Sequence, residues 1–242
     1  MTSCEACKLR RKRMFRCTSA GELAAIAAMK TEHRVVTAGR DVIRQGERGR
    51  IFCTLYSGWA IRYVHVADGT RQILEVVLPG ETVGLAGVLR GTHAHSVQAL
   101  TEAEFCILDG RHFVPLAQQH PDLAMDILRA RVEDERRADM RLTALGRMSA
   151  AERIGYFALE IYDRLGQRGM ATGTDAPFPL RRIDVADAVG LSRVHVIRAL
   201  RELRSERLMQ IEAGTLSIPD VGRLAEFAGF VPAPRNRKRV IL

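Results

Sequence analysis

The sequence predicts an α+β protein with an N-terminal antiparallel β-barrel, one long helix and a C-terminal winged helix-turn-helix. Three observations carry that prediction. Short apolar runs separated by glycines occupy residues 35–108, which is typical of an antiparallel barrel or jelly roll. A helical pattern of about 25 residues follows. Two short helical patterns joined by a tight turn then precede a hairpin pattern, and this order indicates a winged helix-turn-helix.

A basic arm that carries cysteines, residues 1–18, comes first. Cys4 and Cys7 form a CxxC pair, and nine residues separate Cys7 from Cys17. Residues 19–22, SAGE, form a capping box, so a short helix is predicted from there to about Met29. The positive charges of the arm belong to Lys8, Arg10, Arg11, Lys12, Arg13 and Arg16.

The predicted barrel domain spans residues 19–119. Ala67, Asp68 and Gly69 form a hairpin turn within it. Cys106 lies late in the barrel, in the run AEFCILDG. Cys53, in the strand-like run IFCTLYSG, is predicted to be a small buried apolar residue. Glycines 39, 46, 58, 69, 80, 84 and 87 separate the predicted strands.

The long helix is predicted over residues 120–146, because Pro121 suits the first helical position and Asp122 the first turn. Its best apolar stripe has the 3-4 spacing of a coiled-coil seam, which predicts a dimerisation helix. In the alternative interpretation, the two acids of that stripe lie beside the seam and pair with Arg131, Arg136 or Arg137. The predicted seam contains Leu128, Val132, Glu135, Asp139 and Leu142, with Met125 and Leu145 at its ends.

A DNA-binding domain is predicted over residues 147–230. Residues 149–152, SAAE, cap a helix that ends near Leu165, and residues 166–178 are predicted to be a flexible connection. The alternative to a DNA-binding unit is a basic helical hairpin that merely packs against a neighbour. The exposed arginines predicted on its second helix favour DNA binding.

The turn between the two short helices has a specific chemistry. Gly190 suits the positive backbone angle that ends the first helix, and Ser192 is a good N-cap for the second. An apolar face is predicted at Val194, Ile197, Leu200 and Leu203. A two-stranded wing is predicted to follow, turning at Ala213 and Gly214.

The formal net charge is +9, from 37 basic and 28 acidic residues. Such an excess favours a polyanionic partner, because displacing counterions from phosphates drives association. No apolar run approaches the ~18 residues of a membrane span, so a soluble, cytoplasmic protein without disulfides is expected. Residues 231–242 are predicted to be a disordered basic tail that contains Arg235, Arg237, Lys238 and Arg239.

The runs AGRDVIRQGERG, LYSGWAIRY, DGTRQIL, LPGETVGLAG and AVGLSRVHVIRALREL resemble the Crp/Fnr family, the cyclic-AMP receptor protein and FNR family of bacterial transcription regulators. The resemblance covers residues 18–230. It implies a cyclic-nucleotide-binding-like barrel and a homodimer whose paired recognition helices bind double-stranded DNA at a near-palindromic operator. RNA polymerase is a further candidate partner, although no local motif marks a surface for it.

A cyclic nucleotide is not expected as the ligand. Members of the family that bind one carry a glutamate after the PGE turn and an Arg-Ser pair before the next strand. The matching positions here hold Leu85 or Ala86, and then His95 and Ser96. Without the arginine, a cyclic phosphate loses its main charge-assisted contact.

The cysteines Cys4, Cys7, Cys17 and Cys106 resemble those of the iron–sulfur branch of the family. The resemblance implies a 4Fe–4S cluster on four thiolates, and hence sensing of oxygen, nitric oxide or redox state. The spacing from Cys7 to Cys17 is longer than in FNR. A zinc site on the same four thiolates, a thiol–disulfide switch and a regulator without any sensor remain alternatives.

Alignment on residues 190–192 assigns the DNA contacts by resemblance. Arg198 matches the base-reading arginine, which can donate two hydrogen bonds to guanine. Val194 replaces a glutamate and suits a thymine methyl, unless it and Ile197 face the core. His195 is assigned to a base or a phosphate. Ser192 and Arg193 are assigned to phosphates, and Arg201 completes the predicted set.

A metal enzyme of the cupin type is the remaining alternative. Gly87, His93 and His95 imitate the start of a cupin metal motif. The glutamate that should follow is absent, because Leu100 stands at that spacing and Glu102 comes too late. A pair of exposed loop histidines is the simpler interpretation. No nucleophile triad or carboxylate pair stands out either, so no enzyme is expected.

Overall fold

The computed structural model describes residues 3–232 and 240–242. They form two compact units, the first from residues 3–70, 74–134 and 240–242 and the second from residues 71–73 and 135–232. None of the helices in these ranges has the length and apolar character needed to cross a bilayer. The charged residues of the predicted tail, from Arg235 to Arg239, lie outside the described part of the chain.

The barrel of the first unit consists of two four-stranded antiparallel sheets, with strand orders β1-β8-β3-β6 and β2-β7-β4-β5. The predicted hairpin turn joins β4 to β5, with Gly69 at φ +81°. The antiparallel barrel is therefore confirmed. The strands are β1 (Lys30–Val36), β2 (Asp41–Ile43), β3 (Ile51–Ser57), β4 (Ala60–His65), β5 (Arg71–Val77), β6 (Thr82–Val83), β7 (Ser96–Ala99) and β8 (Ala103–Asp109).

Alternation along β8 separates the inside of the barrel from its outer surface. Ala103, Phe105 and Ile107 are buried in the barrel core. Because successive side chains on a strand point to opposite faces, Glu104 and Cys106 lie on the other face and are only half-buried. Cys53 belongs to the barrel core and is fully buried, as predicted, and burial raises the pKa of its thiol.

Helices pack on the outside of the barrel around a second apolar cluster, which includes Ile26, Leu108 and Leu123. The predicted capping box is present, since Ser19 Oγ accepts from the Glu22 amide and Glu22 bonds the Ser19 amide. The helices of this unit are α1 (Ala20–Met29), α2 (Leu85–Arg90), α3 (Phe113–Gln119) and the first part of α4 (Pro121–Arg147).

The last three residues of the sequence differ from the predicted disordered tail. Val240, Ile241 and Leu242 are buried against the first unit. Val240 and Leu242 join the cluster on the outside of the barrel, and Ile241 packs beside the N-terminal arm. All three side chains are apolar, so burial stabilises them where a charged segment would stay in water.

The second unit is a winged helix-turn-helix with a three-stranded sheet in the order β10-β11-β9. β9 lies within residues 166–178, where a flexible connection is predicted, so that prediction is wrong for this stretch. Its pairing with β11 covers an edge that the two-stranded wing alone would leave open. The elements are α5 (Ala150–Gln167), β9 (Asp175–Pro177), α6 (Arg182–Val189), α7 (Arg193–Ser205), β10 (Gln210–Glu212), β11 (Thr215–Ser217) and α8 (Val221–Phe227).

A buried charge network joins the second part of α4 to α5. Glu160 Oε1 lies 2.5 Å from Arg141 Nη2, 3.3 Å from Arg164 Nη1 and 3.9 Å from Arg137 Nε. Burial disfavours the charged form of Glu160, but the arginines, Arg141 foremost, outweigh it and hold the pKa of this carboxyl below its usual value. The network thus keeps a buried carboxylate ionised.

Candidate functional site

The turn before α7 has the geometry that the sequence predicts. Gly190 adopts φ +64°, a left-handed conformation that costs a residue with a Cβ extra energy. Ser192 is the N-cap of α7, and its Oγ accepts a hydrogen bond from the His195 amide at 3.3 Å. The same hydroxyl lies 2.8 Å from His195 Nδ1. The first turn of α7 is therefore held by interactions within a few residues.

α7 presents a basic, solvent-exposed face. Val194 is 66% exposed, whereas Val196 is fully buried. The alternative in which Val194 faces the core is therefore wrong. The predicted apolar face is confirmed at Leu203 and corrected elsewhere, because Ile197 and Leu200 are only half-buried and the other buried positions are Val196 and Ala199. Ala199 was overlooked because a small side chain adds little to an apolar pattern. The exposed residues of the predicted DNA-binding set are Ser192, Arg193, Val194, His195, Arg198 and Arg201.

The wing follows α7 directly. Ala213 and Gly214 adopt φ +48° and +77°, the two positive angles typical of a type I′ hairpin turn. Arg204 Nη1 bonds Glu212 Oε1 at 2.8 Å and ties α7 to β10. A cavity of about 160 Å³ between α6, α7 and β10 is lined by Arg182 and Arg201 among others. Arg182 is not in the predicted DNA-binding set, because nothing in the sequence separates it from other surface arginines.

Three of the four predicted cluster cysteines line one cavity in the first unit. Cys4, Cys7 and Cys106 surround a space of about 20 Å³, with Tyr56 and Ile241 beside them. Cys7 is buried, and the other two thiols are half-buried. We call this space the thiol cavity. Burial raises the pKa of Cys106, Lys30 opposes the rise, and the neighbouring thiols of Cys7 and Cys4 add to it.

Cys17 does not line the thiol cavity and is exposed. The preceding residue, Arg16, is held by both carboxylate oxygens of Glu22, at 2.6 and 2.9 Å, and by Asp126. The pairing with Arg16 lowers the pKa of Glu22 to about 2, against a smaller opposing effect of burial. These contacts hold the chain around Cys17 at the N-terminus of α1.

The fit to an iron–sulfur cluster is therefore partial. Within residues 3–232 and 240–242, no three His, Cys, Asp or Glu side chains are close enough to hold a single metal ion. A 4Fe–4S cluster places its thiolates further apart than one ion does, since each binds a different iron. Cys4, Cys7 and Cys106 line one cavity, whereas the predicted set that includes Cys17 is not brought together.

A histidine that sequence reasoning missed lies beside Cys106. His33 Nδ1 is 3.9 Å from Cys106 Sγ, and His33 Nε2 is 2.7 Å from Glu104 Oε2. The imidazole meets the ring of Tyr56 edge-on, with centroids 5.1 Å apart. No local motif announces His33, because its partners are about seventy residues away in sequence.

The predicted dimer seam on α4 is exposed in the single chain. Leu128, Val132 and Leu142 are more than half exposed, and Glu135 and Asp139 are exposed as well. In the described part of the chain neither acid forms an ion pair, because Arg131 pairs with Asp134 and Arg137 with Glu160. The structure therefore does not support the alternative in which arginines of the same chain neutralise these two acids.

The two histidines of the cupin-like motif are not a pair of exposed loop residues. His93 is buried, and its Nε2 has no hydrogen-bond partner in the described part of the chain. It packs so closely on Gly87 that a Cβ there would lie 2.1 Å from His93 Nδ1. His95 is half-buried, and burial lowers the pKa of both rings.

Comparison with protein families agrees with this architecture. Residues 33–120 match the cyclic nucleotide-binding domain, and residues 152–227 match the Crp-like helix-turn-helix domain. The chain is 27% identical over 231 residues to the transcriptional activator protein FnrL of Cereibacter sphaeroides, which covers 93% of this chain and 92% of FnrL. It is 30% identical to the nitrogen fixation regulation protein FixK of Rhizobium meliloti, over 74% of this chain and 79% of FixK.

Solved structures share the fold. FixK2 from Bradyrhizobium japonicum superposes with a TM-score of 0.74 at 23% identity, covering 83% of this chain and 98% of that one. A transcriptional regulator of the CRP family from Thermus thermophilus superposes with a TM-score of 0.67 at 20% identity, covering 83% of this chain and 98% of that one. These relatives, and the proteins of these solved structures, are transcription regulators rather than enzymes.

Proposed function

The chain belongs to the Crp/Fnr family and is a DNA-binding transcription regulator of that type, and from this premise we propose that it acts as a homodimer that senses oxygen through a 4Fe–4S cluster at the thiol cavity. The observation that carries the proposal is the convergence of Cys4, Cys7 and Cys106 on one space. Because its partner is DNA, we place the protein in the cytoplasm.

The exposed face of α7 would read the DNA. Arg198 can donate two hydrogen bonds to one guanine, and Val194 offers a methyl contact to thymine where a glutamate would select cytosine. Ser192 and Arg193, at the helix N-terminus, are suited to phosphates, and His195 and Arg201 extend the same surface. Two copies on a near-palindromic operator would place their recognition helices one helical turn of DNA apart.

The thiol cavity has a direct packing connection to α4. Ile26 and Leu108 line the cavity and also belong to the apolar cluster that contains Leu123 and Ile127 of α4. A change in the volume or charge of the cavity therefore reaches the dimerisation helix through side chains in contact. Close packing transmits such displacements because the interior has little free volume.

The acids of the seam would make the stability of the dimer sensitive to changes at the thiol cavity. In a parallel dimer, Glu135 and Asp139 of the two copies would face each other, and like charges in that position destabilise association. When bound, a 4Fe–4S cluster supplies a group that oxygen can oxidise and remove. The residues around the cavity would then pack differently against Leu123 and Ile127, and a marginal dimer would separate and release DNA.

Two features support the expectation that the barrel does not bind a cyclic nucleotide by the family's usual contacts. Leu85, at one matching position, is a buried apolar residue on α2. His95, at the arginine position, has its pKa lowered chiefly by burial, so it is neutral near pH 7. Neither side chain offers the charge that a cyclic phosphate needs.

The test is purification without oxygen, followed by measurement of iron, sulfide, visible absorption, oligomeric state and binding to a DNA duplex selected from a random pool. We expect about four irons per chain, a coloured dimer that binds DNA, and loss of all three properties in air. Cys7→Ala should abolish the colour. Cys53→Ala is the matched control, because this thiol is buried in the barrel core and should not affect iron content.

A colourless, metal-free protein that is dimeric and binds DNA equally well with and without air would refute the sensor. Zinc in place of iron would replace the cluster by a structural site on the same thiolates. In both cases the DNA-binding regulator stands, and only its signal changes.

A further inference from the structure

We infer that the N-terminal arm, the barrel and α4 form a binding site for an aliphatic peptide segment, and that residues 240–242 occupy this site as a lid over the thiol cavity. We call these three residues, Val240, Ile241 and Leu242, the aliphatic lid. The inference goes beyond the proposed function, because it concerns access to the thiols and stands whether or not they bind a metal.

The lid is buried along its whole length. Its three side chains are at most 8% exposed, and Ile241 is 4% exposed. Val231, an aliphatic residue between α8 and the lid, is 72% exposed. Burial of the lid is therefore a property of the site that it occupies, and it does not extend to every aliphatic side chain in this stretch of the sequence.

The lid packs against two different parts of the first unit. Val240 and Leu242 belong to the apolar cluster on the outside of the barrel, which includes Ile127 of α4. Ile241 belongs to a separate cluster that the arm forms around Cys7. The lid therefore connects the arm to the packing around α4 through apolar contacts, whose stabilisation grows with the area removed from water.

The arm also has a contact with the barrel that does not involve the lid. Phe15 is buried, and it packs so closely on Gly80 that a Cβ there would lie 2.2 Å from Phe15 Cζ. Gly80 also lines a second cavity, of about 30 Å³, whose walls include Ile127, Val240 and Leu242. Two walls of the site, the anchored arm and α4, are thus present beside the lid, and the lid fills the space between them.

The lid closes the thiol cavity. Ile241 and Leu242 line this cavity together with the three thiols. The volume of about 20 Å³ is enough for about one water molecule, so a larger molecule has to displace a lining side chain to reach the thiols. Cys106 belongs to β8 and Ile26 to α1, whereas residues 240–242 form neither helix nor strand. The lid can therefore move without breaking a sheet or a helix.

The composition of this stretch suits a lid that opens and closes. The aliphatic residues follow the run RNRKR, in which four of the five residues are basic. Burial stabilises the aliphatic side chains, whereas charged side chains favour water. Local opening requires less free energy than global unfolding where few contacts are lost. Opening of the lid, and not unfolding of the barrel, therefore limits how fast a small electrophile or oxidant reaches the thiols.

Alkylation by iodoacetamide, followed thiol by thiol with mass spectrometry, tests the inference on the full-length protein, reduced and freed of metal by a chelator. Ile241→Asp should raise the alkylation rate of Cys7 at least about tenfold, because burial of one aliphatic side chain favours the closed state by that factor or more. Val231→Asp is the matched control. It introduces the same charge at an exposed position and should leave the rate at Cys7 unchanged.

Two other thiols serve as internal controls. Cys17 is exposed and should react at the same rate in every variant, whereas Cys53, in the barrel core, should stay unreactive while the barrel is folded. If Cys53 also reacts in Ile241→Asp, the milder Ile241→Ala takes its place, because it shortens the side chain without introducing a charge. A rate at Cys7 that is unchanged while Cys53 stays protected would overturn the inference.

A variant that ends at Arg239 tests the binding site itself. Its Cys7 should react as fast as in Ile241→Asp, and the peptide RNRKRVIL at about millimolar concentration should slow the reaction, because a tethered segment acts at an effective concentration of that order. The peptide RNRKR is the control and should not protect. Protection by neither peptide, or equal protection by both, would overturn the aliphatic site. The iron content of oxygen-free protein decides the proposed cluster separately, since these rates are measured without metal.

Discussion

The recognition helix and the thiol cavity are assembled in different ways. The turn, cap and exposed face of α7 come from residues 190–205, and the bond from Ser192 to His195 spans three positions. The thiol cavity collects Cys4 and Cys7 from the arm, Cys106 from β8 and Ile241 from the far end of the sequence. The contacts of the recognition helix lie within one segment of the chain, whereas the thiol cavity exists only when the barrel has closed.

From this difference we infer where in the molecule a substitution should have its effect. A contiguous site should respond chiefly to changes within the segment, and a site assembled from distant segments should respond to changes in the contacts that hold those segments together. Four predictions test this distinction.

The largest expected effect is on the free energy of unfolding. It comes from a residue that lies outside the contiguous site but stabilises the unit that carries this site. Glu160→Ala leaves Arg137, Arg141 and Arg164 without their shared carboxylate in a buried position. Removing one partner from a buried ionic network destabilises a protein by about 3–5 kcal/mol. Urea unfolding should show this loss. Iron uptake at the thiol cavity, measured below the unfolding transition, should be unaffected.

Glu226→Ala is the matched control, since Glu226 is exposed on α8 and the same charge is removed. Its free energy of unfolding should stay within about 0.5 kcal/mol of wild type. Equal changes in the free energy of unfolding for the two substitutions would show that the buried network contributes nothing to the stability of the second unit.

Arg198→Ala should reduce specific DNA binding without altering the fold. Arg198 is exposed on α7, and loss of a bidentate contact to guanine is worth about 1–3 kcal/mol in discrimination between bases. Competition between the selected operator and its single-base variants would measure this loss at one salt concentration. Arg223→Ala, on α8, removes the same charge and should leave the base preference unchanged. A uniform loss across all sequences would instead assign Arg198 to a phosphate.

Ser192→Ala should have a smaller effect that stays local. The Ser192 hydroxyl caps α7 through the His195 amide, and loss of such a cap costs about 1 kcal/mol. Chemical denaturation should report this destabilisation of the second unit. Ser205→Ala, at the other end of α7, is the comparison variant. Equal losses of unfolding free energy in the two variants would show that the stability of α7 does not depend on its cap.

The last prediction concerns the anchor of the arm and depends on pH. Pairing with Arg16 lowers the pKa of Glu22 from 4.5 to about 2. A carboxyl with a lowered folded-state pKa contributes stability that is complete above its unfolded pKa and is lost as pH falls through its folded pKa. The difference in unfolding free energy between wild type and Glu22→Gln should be constant above pH 4.5 and shrink towards pH 2. Glutamine can keep the capping box, so the difference isolates the charge pair.

Much of the fold follows from local patterns in the sequence. The capping boxes at Ser19 and Ser149, the left-handed Gly190 and the wing turn at Ala213 and Gly214 each depend on a few neighbouring residues. β9 escaped prediction because a three-residue strand has too little pattern of its own, and it forms only where β11 offers an edge.

The thiol cavity was predictable only in part. The CxxC pair and Cys106 are visible as residue types, but their convergence depends on how the arm packs against the barrel. Cys17 resembles the others in sequence and yet is held elsewhere by Arg16 and Glu22. His33 has no motif at all, and only its register opposite Cys106 brings the two side chains together.

Local sequence patterns were sufficient to predict the family, the two-part architecture and the basic recognition helix, because helix caps, turn glycines and the periodicity of apolar residues act over a few positions. Three features are visible only in the folded chain: the set of thiols that share a cavity, the burial of Val240, Ile241 and Leu242, and the position of His33 opposite Cys106. Such contacts join residues far apart in the chain. They depend on strand register and on the packing of whole elements, which no short stretch of sequence encodes.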